Sequence, residues 1–352
     1  MANFHHIHSA PNRIVQIEQK EWLYFSGTAY LGVQQHPQFL QILAEQLQRY
    51  GSNFGGSRRS NVRFKIIETA EQLLAKITTA PAALTFSSGT LAGQILVQYL
   101  EQLQWSFYFA PQTHPAVWNA SFQSSNATFS DWTTEIIRIA EQHIPPLILL
   151  CNALDPLRCE LMDFTWLWDL PQQQKYILVV DDSHGIGVTG RNGGGFYERI
   201  KVPDWVDLIV VASLGKAYGI TGGVILGKKS HISALQQSAF FGGASPISPA
   251  LLATFVDAQD LYQQQRAILK QRIAQFSTLP QLDTLFQYLN SYPVFYTRQA
   301  ALAQHLEKQE IMISQFPYPS PTDDLITRVI ISAAHTEADV DRLKNALSGT
   351  AQ

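Results

Sequence analysis

The sequence predicts an α/β protein, in which a large domain is built on a mainly parallel sheet and a smaller α+β domain follows it. Short apolar or aromatic runs alternate with helix-length segments through the middle of the chain, which is the pattern of a parallel sheet. The length of 352 residues also exceeds the ~100 to 200 residues usual for one domain. The predicted division is an N-terminal segment at 1–54, a large domain at 55–245 and a small domain at 246–352.

The first elements are predicted from helical periodicity and from residues that stop helices. Apolar residues recur at helical spacing over 35–50, and Gly51 follows as a stop signal. A second helix is expected over 66–77, and the run "AALTF" reads as a short strand. Ser87 and Ser88 then suit the start of a helix. The sequence therefore predicts a strand, a tight turn and a helix at this point.

The remaining elements follow from further apolar runs. Four more strands of the large sheet are predicted at "WSFYFA", "PPLILLCNA", "KYILVVDDS" and "DLIVVAS". A long helical stretch is expected from about residue 249 to 275. The C-terminal part contains two strand-like runs, "YPVFYT" and "RVIISAA", a loop, "SQFPYPSPTDD", and a helix, "TEADVDRLKNAL".

Composition excludes several classes of partner. The net charge is −3, from 25 basic and 28 acidic residues without a basic stripe, so no nucleic acid is expected. No run of about 18 apolar residues and no signal-peptide pattern appears, so no membrane association is expected. Cys151 and Cys159 have neither zinc-site nor redox-pair spacing, which favours free thiols and a cytoplasmic location. No His–Glu cluster with ligand spacing indicates a metal.

Lys216 is the residue that most needs an explanation. It stands among small and apolar residues in "VVASLGKAYGITGG", where an ammonium group is costly unless it is paired, neutralised or used in chemistry. A desolvated lysine loses its proton more readily and can then attack an aldehyde to form a Schiff base. The motif "GIGVTG" at 185–190 matches a dinucleotide fingerprint, but polar residues separate it from the strand and no helix-forming segment follows.

Asp181 and His184 follow one predicted strand, and Lys216 follows the next. Because the carboxyl ends of parallel strands meet at one edge of a sheet, these three side chains are expected to share a site. Pyridoxal 5′-phosphate (PLP) requires a lysine, a carboxylate for its ring nitrogen and a phosphate cradle at a helix N-terminus. Lys216, Asp181 and the "SSGT" turn supply these groups.

The order of several motifs resembles a known family. The segments "YGSNFGGSRRS", "LTFSSGTLAG", "VVDDSHGIGVTGRNGGG" and "VVASLGKAYGITGG" are similar to those of the α-oxoamine synthases, and the similarity extends to "FSGTAYLG" and "RVIISAAHTEADVDRLKNAL". The resemblance implies PLP-dependent transferase fold type I, in which the large domain contains a mainly parallel seven-stranded sheet. It also implies a homodimer with shared active sites.

The resemblance assigns roles to residues of the cofactor site. Lys216 would form the Schiff base with PLP and then move the substrate's Cα proton, and Asp181 would pair with the ring nitrogen. His184 would bond the phenolic oxygen of the ring, and its position three residues after Asp181 favours Asp181 over Asp182 for the nitrogen. His114 would stack on the ring, with an ordinary loop histidine as the alternative.

The remaining implied contacts concern phosphate and substrate. Asn152 would reach the ring oxygen where the synthases usually carry a glutamate, or it is a simple strand-end residue. Arg328 would grip the amino-acid carboxylate, or it is a surface arginine. The phosphate contacts would come from Ser88, Gly89, Thr90, Ser213 and, loosely matched, Ser245 of the partner subunit.

The chain departs from the family's pattern around the substrate. Phe316 stands where relatives have a second arginine, and Gly27, Thr28 and Ala29 replace Ser-Asn-Asp. The implied reaction condenses an amino acid with an acyl thioester, carried by coenzyme A or acyl carrier protein, with loss of CO2. Alanine and a pimeloyl thioester, as in biotin biosynthesis, are the expected substrates. A class I/II PLP aminotransferase and a non-catalytic binding subunit are the alternatives.

Overall fold

The computed structural model describes residues 5–142, 146–155 and 157–348 of the chain. The strands are β1 (Ile14–Ile17), β2 (Lys20–Phe25), β3 (Ala82–Phe86), β4 (Ser106–Phe109), β5 (Leu147–Asn152), β6 (Leu154–Asp155), β7 (Glu160–Leu161), β8 (Tyr176–Asp181), β9 (Val206–Ser213), β10 (Gly223–Gly227), β11 (Gln287–Tyr288), β12 (Val294–Thr297), β13 (Ile311–Pro317) and β14 (Leu325–Ile330).

The helices alternate with the strands in the middle of the chain and dominate its later part. They are α1 (Pro37–Tyr50), α2 (Lys65–Thr78), α3 (Gly89–Glu101), α4 (Phe129–Gln142), α5 (Gly195–Arg199), α6 (Lys229–Gln237), α7 (Ala239–Gly243), α8 (Pro249–Asp257), α9 (Gln259–Phe276), α10 (Leu282–Leu285), α11 (Ala301–Glu307) and α12 (Glu337–Ser348). No helix in the described part of the chain is both long and apolar enough to cross a membrane.

The large sheet has the strand order β3-β10-β9-β8-β5-β4. β4, β5, β8 and β9 are parallel to their neighbours in this group, and β10 is antiparallel to both β3 and β9. The central strands β5 and β8 are almost wholly buried, as expected for a sheet covered on both faces. The predicted α/β class and mainly parallel sheet are confirmed, and every strand predicted for this domain is present.

This sheet has six strands over the described residues, where the resemblance implied seven. β4 lies at the edge, and each of its residues is only half-buried. The segment 119–128, which follows it before α4, is rich in Ser and Asn and has no regular structure. Short polar side chains compete for backbone hydrogen bonds, which explains why no further strand forms there.

Helix boundaries follow the predicted signals closely. α1 ends directly before Gly51, whose φ of 72° lies in the left-handed region that favours glycine. Ser88 caps α3, since its side chain accepts a hydrogen bond from the Leu91 amide at 3.0 Å. The long helical stretch predicted after residue 249 is divided into α8 and α9 at Ala258.

The second sheet joins the two ends of the chain. Its order is β1-β2-β13-β14-β12-β11, and β2 pairs with β13 in parallel. The pairing of β1 and β2 with the C-terminal part was not predicted, because nothing in the local pattern reports a partner so distant in sequence. The predicted loop "SQFPYPSPTDD" is wrong in its first four residues, 314–317, which pair with β14.

Candidate active site

Asp181, Asn152 and Lys216 are brought together at the carboxyl edge of the large sheet. Asp181 ends β8 and lies in register with Asn152 on β5 and with Val211 on β9. Lys216 follows three residues after β9, and the charges of Asp181 and Arg328 both act on its pKa. The predicted convergence of these side chains at one edge is therefore what the structure shows.

The Lys216 side chain is half-buried, and hydrogen bonds to its backbone hold its loop in place. Burial lowers the pKa of its ammonium group, while the neighbouring Asp181 carboxylate partly opposes that effect. The Gln34 side chain donates its Nε2–H to the Lys216 carbonyl oxygen at 2.8 Å and to that of Gly215 at 3.5 Å. The loop is thus fixed at the lysine, and the lowered pKa makes the amine easier to deprotonate.

The two adjacent aspartates have different environments, since successive strand residues point to opposite faces. The Oδ1 of Asp181 accepts a hydrogen bond from the Ser183 amide at 2.8 Å, and its Oδ2 lies 3.5 Å from the Nδ1 of His114. Asp182 instead accepts a hydrogen bond from the Phe196 amide at 2.6 Å and so holds the glycine-rich segment 193–195 in place. Burial raises the pKa of Asp182 to about 7.

His184 is oriented by a tyrosine. Its Nδ1 lies 2.8 Å from the hydroxyl of Tyr30. Burial, reinforced by the charges of Lys216 and Arg328, lowers the pKa of His184 well below its ordinary value, so the ring is neutral. Burial raises the pKa of Tyr30 to about 12, so its hydroxyl stays protonated and is able to donate a hydrogen bond to Nδ1. In the tautomer that accepts this bond, the Nε2 of His184 carries the ring proton.

His114 and Asn152 form one unit. The Asn152 amide oxygen accepts the backbone N–H of His114 at 3.1 Å, and its amide nitrogen donates to the Gln112 carbonyl at 2.7 Å. The Ala116 amide donates to the Nδ1 of His114 at 3.1 Å, and burial lowers the pKa of this ring, so its contact with Asp181 is not an ion pair. Asn152 thus positions the His114 loop.

The start of α3 packs tightly against the strand that leads to Lys216. A Cβ placed on Gly89 would lie only 3.0 Å from the Cβ of Ser213, and one on Gly223 would lie 2.3 Å from the Ser88 carbonyl oxygen. The first amides of a helix, here those of Gly89 and Thr90, have no partner within the helix. The glycines therefore allow the start of α3 to pack closely on β9 and β10, and its free amides suit an anion.

Ser213 and Ser245 both lie close to this helix start. The hydroxyl of Ser213 accepts the Gly215 amide at 3.3 Å. The carbonyl oxygen of Ser245 accepts the Ser87 amide of its own chain at 3.2 Å. The predicted role of Ser245 in the site of a neighbouring subunit stays a prediction.

Arg328 is buried, with 4% of its surface exposed, and is not a surface residue. It lies on β14 between Ser314 and Tyr296 of the neighbouring strands. Its guanidinium carbon stands 5.8 Å from the centre of the Phe316 ring. The guanidinium group of an arginine can bind a carboxylate through two parallel hydrogen bonds.

Sequence reasoning did not identify four residues that support this site. Gln34 holds the Lys216 loop, Tyr30 orients His184, and Tyr292 donates to the His184 carbonyl at 3.3 Å. Tyr318 lies close enough to Asp181 and Arg328 for both charges to act on its pKa. Tyr30 was visible as part of the "FSGTAYLG" segment, while the others carry no local signal.

Comparison with known proteins then decides the family. The model of the family described as "Aminotransferase class I and II" matches residues 20–347. The chain belongs to this family. Its curated relatives include the 8-amino-7-oxononanoate synthases of Nitrosomonas europaea, 28% identical over 96% of this chain and 92% of the relative, and of Nitrosomonas eutropha, 29% identical over 95% and 90%.

Solved structures of the same fold agree with this assignment. The serine palmitoyltransferase of S. paucimobilis, with a bound PLP–myriocin aldimine, has a TM-score of 0.80 at 17% identity and covers 99% of this chain and 92% of its own. An 8-amino-7-oxononanoate synthase from Francisella tularensis has a TM-score of 0.70 at 21% identity, over 93% and 97% of the two chains. The fold-type expectation is therefore confirmed.

Proposed function

We propose that this chain is a PLP-dependent acyltransferase that condenses an amino acid with an acyl thioester and releases CO2. The observation that carries the proposal is that Lys216, Asp181, His184 and Arg328 lie close enough together for the charges of Asp181 and Arg328 to act on Lys216 and that of Lys216 on His184. The relatives named 8-amino-7-oxononanoate synthase support alanine and a pimeloyl thioester as substrates, and hence a role in biotin biosynthesis.

The residues present fit the cofactor. The site offers a half-buried lysine, a carboxylate whose charge acts on it and the free amides at the start of α3, which Gly89 and Gly223 allow to pack closely on β9 and β10. Bound PLP supplies an aldehyde that reacts with amines and a protonated ring that accepts electrons from the substrate. Ser88, Gly89, Thr90 and Ser213 would hold its phosphate at the positive end of α3.

The charged side chains then have distinct tasks. Lys216, whose pKa burial lowers, would in its deprotonated form take a proton from the substrate's Cα at its Nζ and later return one. Asp181 holds a proton on the ring nitrogen, and the Nε2–H of His184 donates to the ring's phenolic oxygen. Arg328 fixes the amino-acid carboxylate, and His114 covers the ring from the Asn152-supported loop.

A homodimer with shared sites is part of the proposal. Ser245 of the partner subunit would complete the phosphate contacts. Sedimentation of the purified protein tests the dimer directly, and weaker PLP binding by Ser245→Ala tests the contact. A cytoplasmic location stays a prediction from the cysteine content.

The competing function is that of an aminotransferase, which the family description also includes. The two reactions differ in the second substrate, since an aminotransferase uses a keto acid and no thioester. Asn152, which stands where the synthases usually carry a glutamate, does not by itself favour an aminotransferase, because both ends of its amide bind the His114 loop.

The deciding experiment measures the visible spectrum of the PLP-loaded protein and then thiol release. Alanine, glycine and serine are added in turn, followed by acyl-coenzyme A, with Lys216→Ala and the exposed control Lys229→Ala in parallel. Thiol release that needs both the amino acid and Lys216 supports the acyltransferase. Amino-group transfer to a keto acid without thiol release would instead show an aminotransferase, and failure to bind PLP would leave only a non-catalytic subunit.

A further inference from the structure

Two residues on one face of β13 and a tyrosine just beyond its end lie near the buried Arg328. Side chains two residues apart lie on the same face of a strand, so Ser314 and Phe316 share a face, and Tyr318 follows just beyond the end of β13. Ser314 is paired with Arg328 across the hairpin, and the Phe316 ring lies 5.8 Å from the guanidinium carbon. The aromatic ring thus borders the cation that would receive the substrate carboxylate.

Tyr318 completes this wall. Its ring stands 6.4 Å from that of Phe316 in an edge-to-face arrangement, and the side chain is half-buried. Burial raises the pKa of Tyr318, Asp181 raises it further and Arg328 lowers it. The phenol therefore lies within range of both charges between which an amino acid has to fit.

We propose that Phe316 and Tyr318 determine which amino acid the site accepts, a role that rests on the proposed function. Phe316 packs against Arg328 and holds its guanidinium in place for the carboxylate. The Tyr318 ring fills the adjacent space and limits the substrate side chain to the size of a methyl group. The two residues therefore have separable effects, one on carboxylate binding and one on side-chain size.

The test uses binding rather than turnover. Dissociation constants of alanine, 2-aminobutyrate and ethylamine are measured from the visible absorbance of the PLP-loaded protein. The wild-type protein should bind alanine at least about tenfold more tightly than 2-aminobutyrate, which has one extra methylene. In Tyr318→Ala this preference should fall to about twofold or less, while Tyr318→Phe, which keeps the ring, should retain it.

Phe316→Leu should weaken the binding of alanine and of 2-aminobutyrate by about tenfold each. It should leave the binding of ethylamine unchanged, because ethylamine lacks the carboxylate. Leu325→Ala is the matched control, because Leu325 lies exposed on the same hairpin, paired with Pro317. It should change none of the three constants. The proposal would be overturned if Phe316→Leu lost the same affinity for all three ligands. It would also be overturned if Tyr318→Ala kept the wild-type preference for alanine over 2-aminobutyrate.

These outcomes are separable from those of the proposed function, since amino-acid binding requires no thioester. If thiol release never occurs but the preference responds to Tyr318→Ala, the reaction is wrong and the specificity role stands. If thiol release with alanine occurs and the preference does not respond, the specificity role alone is wrong. Should Tyr318→Ala lose its PLP absorbance or its cooperative melting, Tyr318→Leu provides the same comparison.

Discussion

Polar side chains lie at both ends of β9, but the fold favours the charged form of these groups at one end and disfavours it at the other. At the amino end, Asp207 accepts hydrogen bonds from Lys228 and from the Nε2 of His231 at 3.0 Å, and the Nδ1 of His231 bonds the Tyr99 hydroxyl at 2.9 Å. These contacts, His231 first, lower the pKa of Asp207 to about 2. The folded state thus favours the charged form there.

At the carboxyl end, the folded state disfavours charge. Burial lowers the pKa of Lys216 and of His184, so both groups lose a proton more easily than they would in water. Groups tuned in this way serve proton transfer at some cost in stability. The amino end of β9 therefore carries an ion network that stabilises the fold, whereas its carboxyl end leads to the candidate active site.

The largest expected effect comes from Lys216→Ala. Activity should fall by about 10³-fold or more, because the proton carrier at the substrate's Cα is lost. The melting temperature of the PLP-free protein should stay equal or rise, since a desolvated cation is removed. Kinetics and melting curves of this variant and of the exposed control Lys229→Ala check both statements, and a strongly destabilised Lys216→Ala would refute the comparison.

Asp181→Asn should reduce kcat by about 10²-fold, because its carboxylate no longer holds a proton on the ring nitrogen. Asp182→Asn is the matched neighbour. An asparagine there can still accept the Phe196 amide, so kcat should change little. Steady-state kinetics of the two variants test this prediction. An equal decrease of kcat in both would mean that catalysis depends on both aspartates and not on Asp181 alone.

Tyr30→Phe should have a smaller effect, about 2- to 10-fold on kcat, the size expected for one hydrogen bond of ~0.5–1.5 kcal/mol. The variant removes the donor to the Nδ1 of His184 and leaves its tautomer unfixed. Tyr292→Phe, which loses a bond only to the His184 backbone, serves for comparison. An unchanged kcat in Tyr30→Phe would show that the tyrosine does not orient the ring.

Asp207→Asn should leave kcat unchanged and lower the melting temperature by about 1–2 °C at neutral pH, since a partly exposed ion pair contributes ~1 kcal/mol and the shift per kcal/mol is small in a chain of 352 residues. The pKa of Asp207 is depressed from 3.8 to about 2, so its contribution is present above pH 4 and disappears as the pH falls toward 2. Melting curves from pH 2 to 7 test this, with the exposed Asp204→Asn as control. A constant difference across that range would contradict the assignment.

The cofactor half of the site could be predicted from local pattern because its residues follow strands that are consecutive and parallel. Asp181, His184 and Lys216 each come directly after an apolar run, and the rule that such ends converge is general. The supporting residues could not be found in this way. Gln34 and Tyr292 reach the site from segments far away in sequence, and only the three-dimensional fold brings them to Lys216 and His184.

The sequence alone determined the alternation of strands and helices, the α3 cap at Ser88 and the choice of Lys216 as the candidate catalytic lysine. These features depend on neighbours within a few residues. Tertiary structure decided the rest. The pairing of β2 with β13 joins the chain ends, and the β13–β14 hairpin sets Phe316 beside Arg328. Contacts between residues hundreds of positions apart depend on packing and long-range register, which local pattern does not encode.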